Sequence, residues 1–250
     1  MLSALLDLVL PATCALCQRP AGALCAACRR AVEDCLHPSP RLAVPSPTPA
    51  GMPQCWVSGE ASGALRTLVT AYKDEHRRDL KRPLAALLTP ALRAAVGASA
   101  DARRAVQGRG LVVVPVSGSP RARRRRGDVP LLHLVERAAG DLGGRVMVAD
   151  LLVATRITRD QSTLDSTERA SNLAGAMSVR ERHRDAVTGA VCVVVDDLVT
   201  TGATLAEAAR ALRAAGSTLV LSAAIGATRR RIDLAGHSQQ PPLERAHGRV

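Results

Sequence analysis

VCVVVDDLVTTGATLAEAARALRAAG, residues 191–216, reads as a strand, a loop and a helix. Cys192, Val193, Val194 and Val195 form a continuous apolar, mostly β-branched run, the pattern of a strand buried on both faces of a parallel sheet. Asp196 and Asp197 follow at its carboxyl end, where open α/β sheets bind their ligands. Thr200, Thr201, Gly202, Ala203 and Thr204 make a small, hydroxyl-rich loop. It leads into a helix with Leu205, Ala208, Ala209, Leu212 and Ala215 on its apolar stripe and Gly216 just past its end.

Backbone N–H groups in such a loop, with the start of the helix behind them, cradle a phosphate. The threonine hydroxyls add donors, and Gly202 is expected to remove a side chain that would block close approach. The two aspartates ask for the opposite kind of partner, either hydroxyl groups that donate to them or a hard divalent cation. A phosphorylated ribose offers both kinds of contact.

Composition sets the outer limits. The 250 residues suffice for one sizeable domain with a small appendage. A hydrophobic share of 47% with one Trp, one Tyr and no Phe predicts a core of Ala, Val and Leu. The formal charge of +12 suits a polyanionic partner, nucleic acid or a phosphate-rich small ligand, although the arginine, alanine, glycine and proline bias accounts for part of it. The opening MLSALLDLVLP contains Asp7, lacks a basic flank and ends at Pro11, unlike a secretory signal. No apolar run reaches the roughly 18 residues that a membrane span requires. The expectation is a soluble, cytoplasmic protein with reduced thiols.

Leu2, Leu5, Leu6, Val9 and Leu10 fall at helical spacing. Behind them Cys14-x-x-Cys17 and Cys25-x-x-Cys28 form two CxxC pairs, the ligand set of a tetrahedral zinc site. The plainer alternative is four buried or redox-active cysteines. With four thiolates the site is closed, so its zinc is structural. Cys35 and Cys55 are single and are assigned to packing or solvent exposure.

Residues 36–54 hold Pro38, Pro40, Pro45, Pro47, Pro49 and Pro53 and are expected to be a linker between a module at 1–35 and a domain at 55–228. Leu65, Leu68, Val69 and Tyr72 predict one helix, and Leu84, Leu87, Leu88, Ala91 and Leu92 another, with Pro83 in its first turn. The run LVVVPV at 111–116 predicts a strand, followed by a small-residue loop at Ser117 and an arginine cluster at Arg121, Arg123, Arg124, Arg125 and Arg126. That cluster reads equally as a solvated face or as a pyrophosphate site. A helix is expected through Leu142, more strand over 146–153, and a polar loop over 155–169 covering a site. A last strand is expected over 219–225, and a disordered tail over 229–250. From 110 to 225 strand and helix alternate, which predicts an α/β fold with a parallel sheet flanked by helices.

The run from Cys192 through Thr204 resembles the phosphoribosyl diphosphate (PRPP) motif of type I phosphoribosyltransferases. The wider chain is similar to the ComF family of that fold. The paired cysteines of a zinc-ribbon-like module, Tyr72-Lys73 with Arg77-Arg78, the strand end at Val114, Pro115 and Val116, the arginine cluster before Gly127, and then Gln161, Arg169, Asn172 and Gly175 occur in that family's order. The resemblance implies that Asp196 and Asp197 contact the ribose hydroxyls and that Thr200, Thr201, Gly202, Ala203 and Thr204 hold the 5′-phosphate. It implies further that Val116 and Ser117 form the pyrophosphate loop, that Arg121 and its neighbours neutralise the pyrophosphate, and that the loop with Gln161 closes over the site. Mg²⁺ would accompany PRPP.

The chain departs from the family at Gly127-Asp128-Val129-Pro130, where relatives have Gly-Phe-Asn-Gln, and in lacking a second pair of CxxC motifs. The implied function is PRPP binding in support of DNA uptake or single-stranded DNA handling. The alternatives are a nucleobase phosphoribosyltransferase and a PRPP-sensing regulator.

Overall fold

The structure, a computed structural model, describes residues 13–116, 129–155 and 175–228. The expected N-terminal helix through Leu10, the loop and arginine cluster at 117–128 with Ser117 and Arg121, most of the polar loop with Gln161, and the tail at 229–250 lie outside the described residues. The expected helices and the strands at 111–116, 191–195 and 219–225 are present, whereas the expected strand over 146–153 divides into two short strands, 146–148 and 152–154, that join different sheets.

Among the described residues, helices α1 (Ala26–Glu33), α2 (Gly63–Asp74), α3 (Lys81–Gly97), α4 (Ala100–Gln107), α5 (Pro130–Ala139), α6 (Arg184–Val187) and α7 (Ala203–Ala214) accompany eight strands. These are β1 (Leu36–Ala43), β2 (Cys55–Glu60), β3 (Leu111–Pro115), β4 (Val146–Val148), β5 (Leu152–Ala154), β6 (Met177–Val179), β7 (Val191–Val199) and β8 (Leu219–Ala227). Six strands form one sheet in the order β1-β2-β8-β7-β3-β4, and β5 and β6 form a separate antiparallel pair. Within the large sheet only β1 runs antiparallel to its neighbour.

The apolar run of β7 is buried on both sides, as its composition requires. Val191, Val193 and Val195 join one cluster with Leu65, Leu68, Leu84, Leu88 and Leu134 from α2, α3 and α5. Cys192 and Val194 join a second with Leu205, Ala208 and Leu212 from α7. The period of 2 in a strand against 3.6 in a helix therefore suffices to sandwich the sheet between two helical layers.

Two expectations change. Residues 36–43 are not linker: β1 pairs with β2 from Leu36↔Gly59 to Ala43↔Cys55, with a register shift between Leu36 and Arg41. Pro38 and Pro40 fit because an edge strand need donate to only one neighbour and because the ladder is interrupted there. The second change concerns β7, which continues past Val195 to Val199, so both aspartates lie on the strand. The helix α4 was not foreseen; Ser99 caps it by accepting the Ala102 N–H at 3.2 Å.

No single helix among the described residues is long and apolar enough to cross a membrane.

Candidate functional site

From β3 the chain moves through α5 to β4 on one side, and from β7 through α7 to β8 on the other. The gap between the carboxyl ends of β3 and β7 is thus the topological switch point, where doubly wound sheets take their ligands. Val116, 4% exposed, sits there with its N–H donating to the Val195 carbonyl at 2.8 Å. Asp196 and Asp197 follow Val195 on the adjoining strand. An open groove at the amino-terminal ends of β3, β7 and β8, lined by Arg104, Arg109, Thr188 and Thr218, is at the wrong end of the sheet for this role.

Alternation places the two acids on opposite faces of β7. Asp197 follows Val193 and Val195 toward α2, where its Oδ2 lies 2.5 Å from Lys73 Nζ. Its Oδ1 accepts the Leu198 N–H at 2.7 Å. Asp196 accepts the Asp197 N–H at 2.8 Å. Burial, reinforced by the Asp197 charge, pushes the Asp196 carboxyl up to about 7, against the opposing pull of Lys73 and the Asp197 N–H. For Lys73, burial disfavours the ammonium, but the charges of Asp197 and Asp196 outweigh it and raise the pKa. The site therefore already holds one cation.

Sequence reasoning placed Lys73 in a shared motif but not in the site. The available signal was its spacing: it lies one turn beyond Val69, at the edge of the buried stripe of Leu65, Leu68, Val69 and Tyr72. A lysine there needs a carboxylate partner.

The loop beyond β7 is a tight turn into α7. The Thr201 hydroxyl accepts the Ala203 N–H at 3.4 Å, and the Thr228 hydroxyl donates to the Thr200 carbonyl at 3.3 Å. Ala203 is buried, Thr201 and Thr204 are half-buried and Thr200 is exposed. As the first amides of α7, those of Thr204 and Leu205 have no intrahelical acceptor.

Gly202 has φ 77°, in the left-handed region, and a Cβ there would overlap the Met52 sulfur and lie 3.3 Å from Pro45 Cγ. The expected reason for this glycine was room for a phosphate; the close approach seen is that of Met52 and Pro45. Gly202→Ala should cost about 1–3 kcal/mol of stability in denaturant titration, through the left-handed backbone and the overlap together. Met52→Ala added to it should restore only the overlap part. An unchanged midpoint for Gly202→Ala would contradict this packing.

A second cluster lies at the amino-terminal side. The Sγ atoms of Cys14, Cys17, Cys25 and Cys28 all lie within 4.8 Å of one another. The Cys17 and Cys25 sulfurs are 3.7 Å apart, close to the edge of about 3.8 Å that a tetrahedron with Zn–S bonds of about 2.3 Å requires. Four soft donors at that spacing fit a metal ion such as zinc.

The second CxxC opens α1, with Cys25 as its N-cap, its sulfur accepting the Cys28 N–H at 3.5 Å. Burial raises the Cys14 thiol, but N–H groups of Cys25, Cys17 and Leu16 and the Cys17 thiol overcome it and lower the pKa to about 6. The Cys25 thiol and burial push Cys28 up to about 12. The module is anchored to the main body: Ala15 and Val32 enter the first cluster, and Arg77 Nη2 donates to the Thr13 carbonyl at 2.7 Å. Cys35 Sγ donates to the Ala31 carbonyl at 3.4 Å, and Cys55 is 1% exposed with its thiol pushed up to about 12 by burial. Both cysteines serve packing.

A doubly wound sheet with paired acids at its switch point and a helix-opening hydroxyl loop beside them is an arrangement whose chemistry suits a phosphorylated small molecule. Residues 142–235 match the family model described as the phosphoribosyl transferase domain. Asp196, Asp197 and the loop at 200–204 lie inside the matched segment. Lys73 and the cysteine cluster lie outside it. No curated protein matches the chain.

Proposed function

We propose that the protein binds PRPP with Mg²⁺ at the carboxyl ends of β3 and β7 and belongs to the ComF type, supporting DNA uptake or the handling of single-stranded DNA. One observation carries the ligand: Asp196 and Asp197 stand at the switch point directly before a hydroxyl loop that opens α7, within a matched phosphoribosyltransferase domain. The acids accept the ribose hydroxyls and the loop receives the 5′-phosphate. Val116, followed by Ser117, borders the position of the diphosphate, with Arg121 and Gln161 proposed to reach it.

Two adjacent carboxylates suit a hard cation, and Mg²⁺ bound with PRPP would neutralise charge on the diphosphate as it leaves the anomeric carbon. The residues of the chain orient the sugar and stabilise the leaving charge. Zinc is the metal proposed for the four thiolates, in a structural role. The cysteine module and the +12 charge favour the DNA-handling reading. With so few aromatic side chains to stack on bases, strand contact would run through phosphates. The alternatives are transfer to a nucleobase, which the domain match favours, and PRPP sensing without turnover.

Titration with PRPP and Mg²⁺, followed by assay of pyrophosphate release with each common nucleobase, separates these readings. Binding without release, together with affinity for single-stranded DNA that falls steeply with salt, is the expected result. Release with a nucleobase would establish the salvage enzyme instead, and absence of PRPP binding would overturn all three.

A further inference from the structure

Two of the chain's 34 basic Lys and Arg residues are lysines, Lys73 and Lys81. Lys81 is exposed on α3, whereas Lys73 reaches Asp197 from the last turn of α2. Its side chain is 34% exposed while that of Asp197 is 11% exposed, so the lysine is the more solvent-accessible partner of the ion pair. An ammonium is a compact, rotatable point charge that exchanges partners more readily than the planar fork of arginine.

The ion pair constrains what can bind. Asp197 Oδ1 is taken by the Leu198 N–H and Oδ2 by Lys73. A ribose hydroxyl that donates to Oδ2 must share it with the ammonium or displace it. A neutral hydroxyl is a poor replacement for a cation on a largely buried carboxylate, and the displaced ammonium would itself lose its counter-charge. The exchange becomes favourable when the ligand brings an anion of its own beside the hydroxyl. On a ribose ring the substituent at the anomeric carbon neighbours the 2′-hydroxyl, and in PRPP that substituent is a diphosphate.

We propose that Lys73 also reads the anomeric diphosphate, so that the site discriminates PRPP from ribose 5-phosphate. The ammonium moves from Asp197 alone to a position shared between Asp197 and the diphosphate oxygens. This rests on the PRPP-binding reading above and deepens it, because it assigns the discrimination to a residue outside the matched domain. It also gives α2 a role in ligand choice that neither the hydroxyl loop nor the acids supply: both of those see groups common to the two ligands.

The experiment is calorimetric titration of wild type, Lys73→Met and Lys73→Arg with PRPP and separately with ribose 5-phosphate, both with Mg²⁺. For Lys73→Met the affinity for PRPP should fall about 10- to 100-fold, while that for ribose 5-phosphate changes by less than about 3-fold. Lys73→Arg should retain more of the preference than Lys73→Met. A lysine that only neutralises the acids would alter both ligands equally, and an equal loss overturns the proposal, as does no loss.

With two lysines in the chain, ¹³C-lysine labelling gives a second readout on wild-type protein that needs no destabilising variant. PRPP should shift the Lys73 ε-carbon signal well beyond the shift caused by ribose 5-phosphate, with the Lys81 signal unmoved. Equal shifts would overturn the proposal. If wild type binds neither ligand, the PRPP reading itself fails, an outcome distinct from binding both alike.

Discussion

Cys14→Ser should empty the metal site and give the largest loss of stability of any single substitution considered. Cys14 is fully buried, and its sulfur also accepts the Cys25 N–H at 3.4 Å, so one atom serves both the metal and the turn that presents the second CxxC. Structural zinc contributes roughly 10–16 kcal/mol in small zinc modules, a figure that includes folding them. Part of that is retained here, because Ala15 and Val32 remain packed in the main core.

The expected results are metal content falling from about one ion per chain to none, protease cleavage appearing within residues 13–35, and a lower denaturation midpoint. Unchanged zinc content would remove these thiols from the ligand set. Metal uptake should also release a proton from Cys28, whose thiol starts near 12, whereas Cys14, near 6, is already largely ionised at neutral pH. The apparent affinity should therefore rise with pH.

The second large effect is pH dependence at Asp196. Its folded pKa of about 7 lies above the ordinary carboxylate value of about 3.9. A carboxyl whose pKa is raised in the folded state opposes folding once it ionises in the unfolded chain. Its penalty grows as pH rises from about 4 to about 7 and is fully present above that. Ligand-free protein should therefore gain stability from this group on acidification from pH 8 toward pH 5.

Ligand binding runs the other way, because an ionised Asp196 is the better acceptor for ribose hydroxyls. Affinity for PRPP should be about 10-fold weaker at pH 6 than at pH 8, the ratio expected when a group near 7 must lose its proton to bind. Asp196→Asn should weaken binding at pH 8 and flatten that part of the profile, leaving only the ligand's own phosphate titration. An unaltered profile in Asp196→Asn would assign the pH dependence elsewhere.

The fold was legible where the chain repeats a simple period. The β-branched runs at 111–116 and 191–195 and the apolar stripes of α2, α3 and α7 need only their neighbours in sequence to be read. The cysteine cluster was equally legible, since two CxxC spacings specify four donors regardless of the rest of the chain. What escaped depends on contacts distant in sequence. Leu36–Ala43 resembles a linker until β2 supplies a partner and an edge position that tolerates Pro38 and Pro40. Gly202 reads as a phosphate-loop glycine until the chain folds Met52 and Pro45 against it. Asp197 appears free until α2 brings Lys73 across 124 positions of sequence. Pairing, clash and counter-charge are tertiary facts, and a single sequence records only one side of each.

Calorimetric titration of PRPP with Mg²⁺ into wild type, Asp197→Asn and Asp196→Asn at pH 8 bears most directly on the site. Each carboxylate is expected to contribute about 1.5–3 kcal/mol through charge-assisted hydrogen bonds. Wild type should bind, and each variant should bind about 10- to 100-fold more weakly while retaining its circular dichroism. Wild-type binding that survives both substitutions unchanged would place PRPP elsewhere and contradict the role assigned to the end of β7.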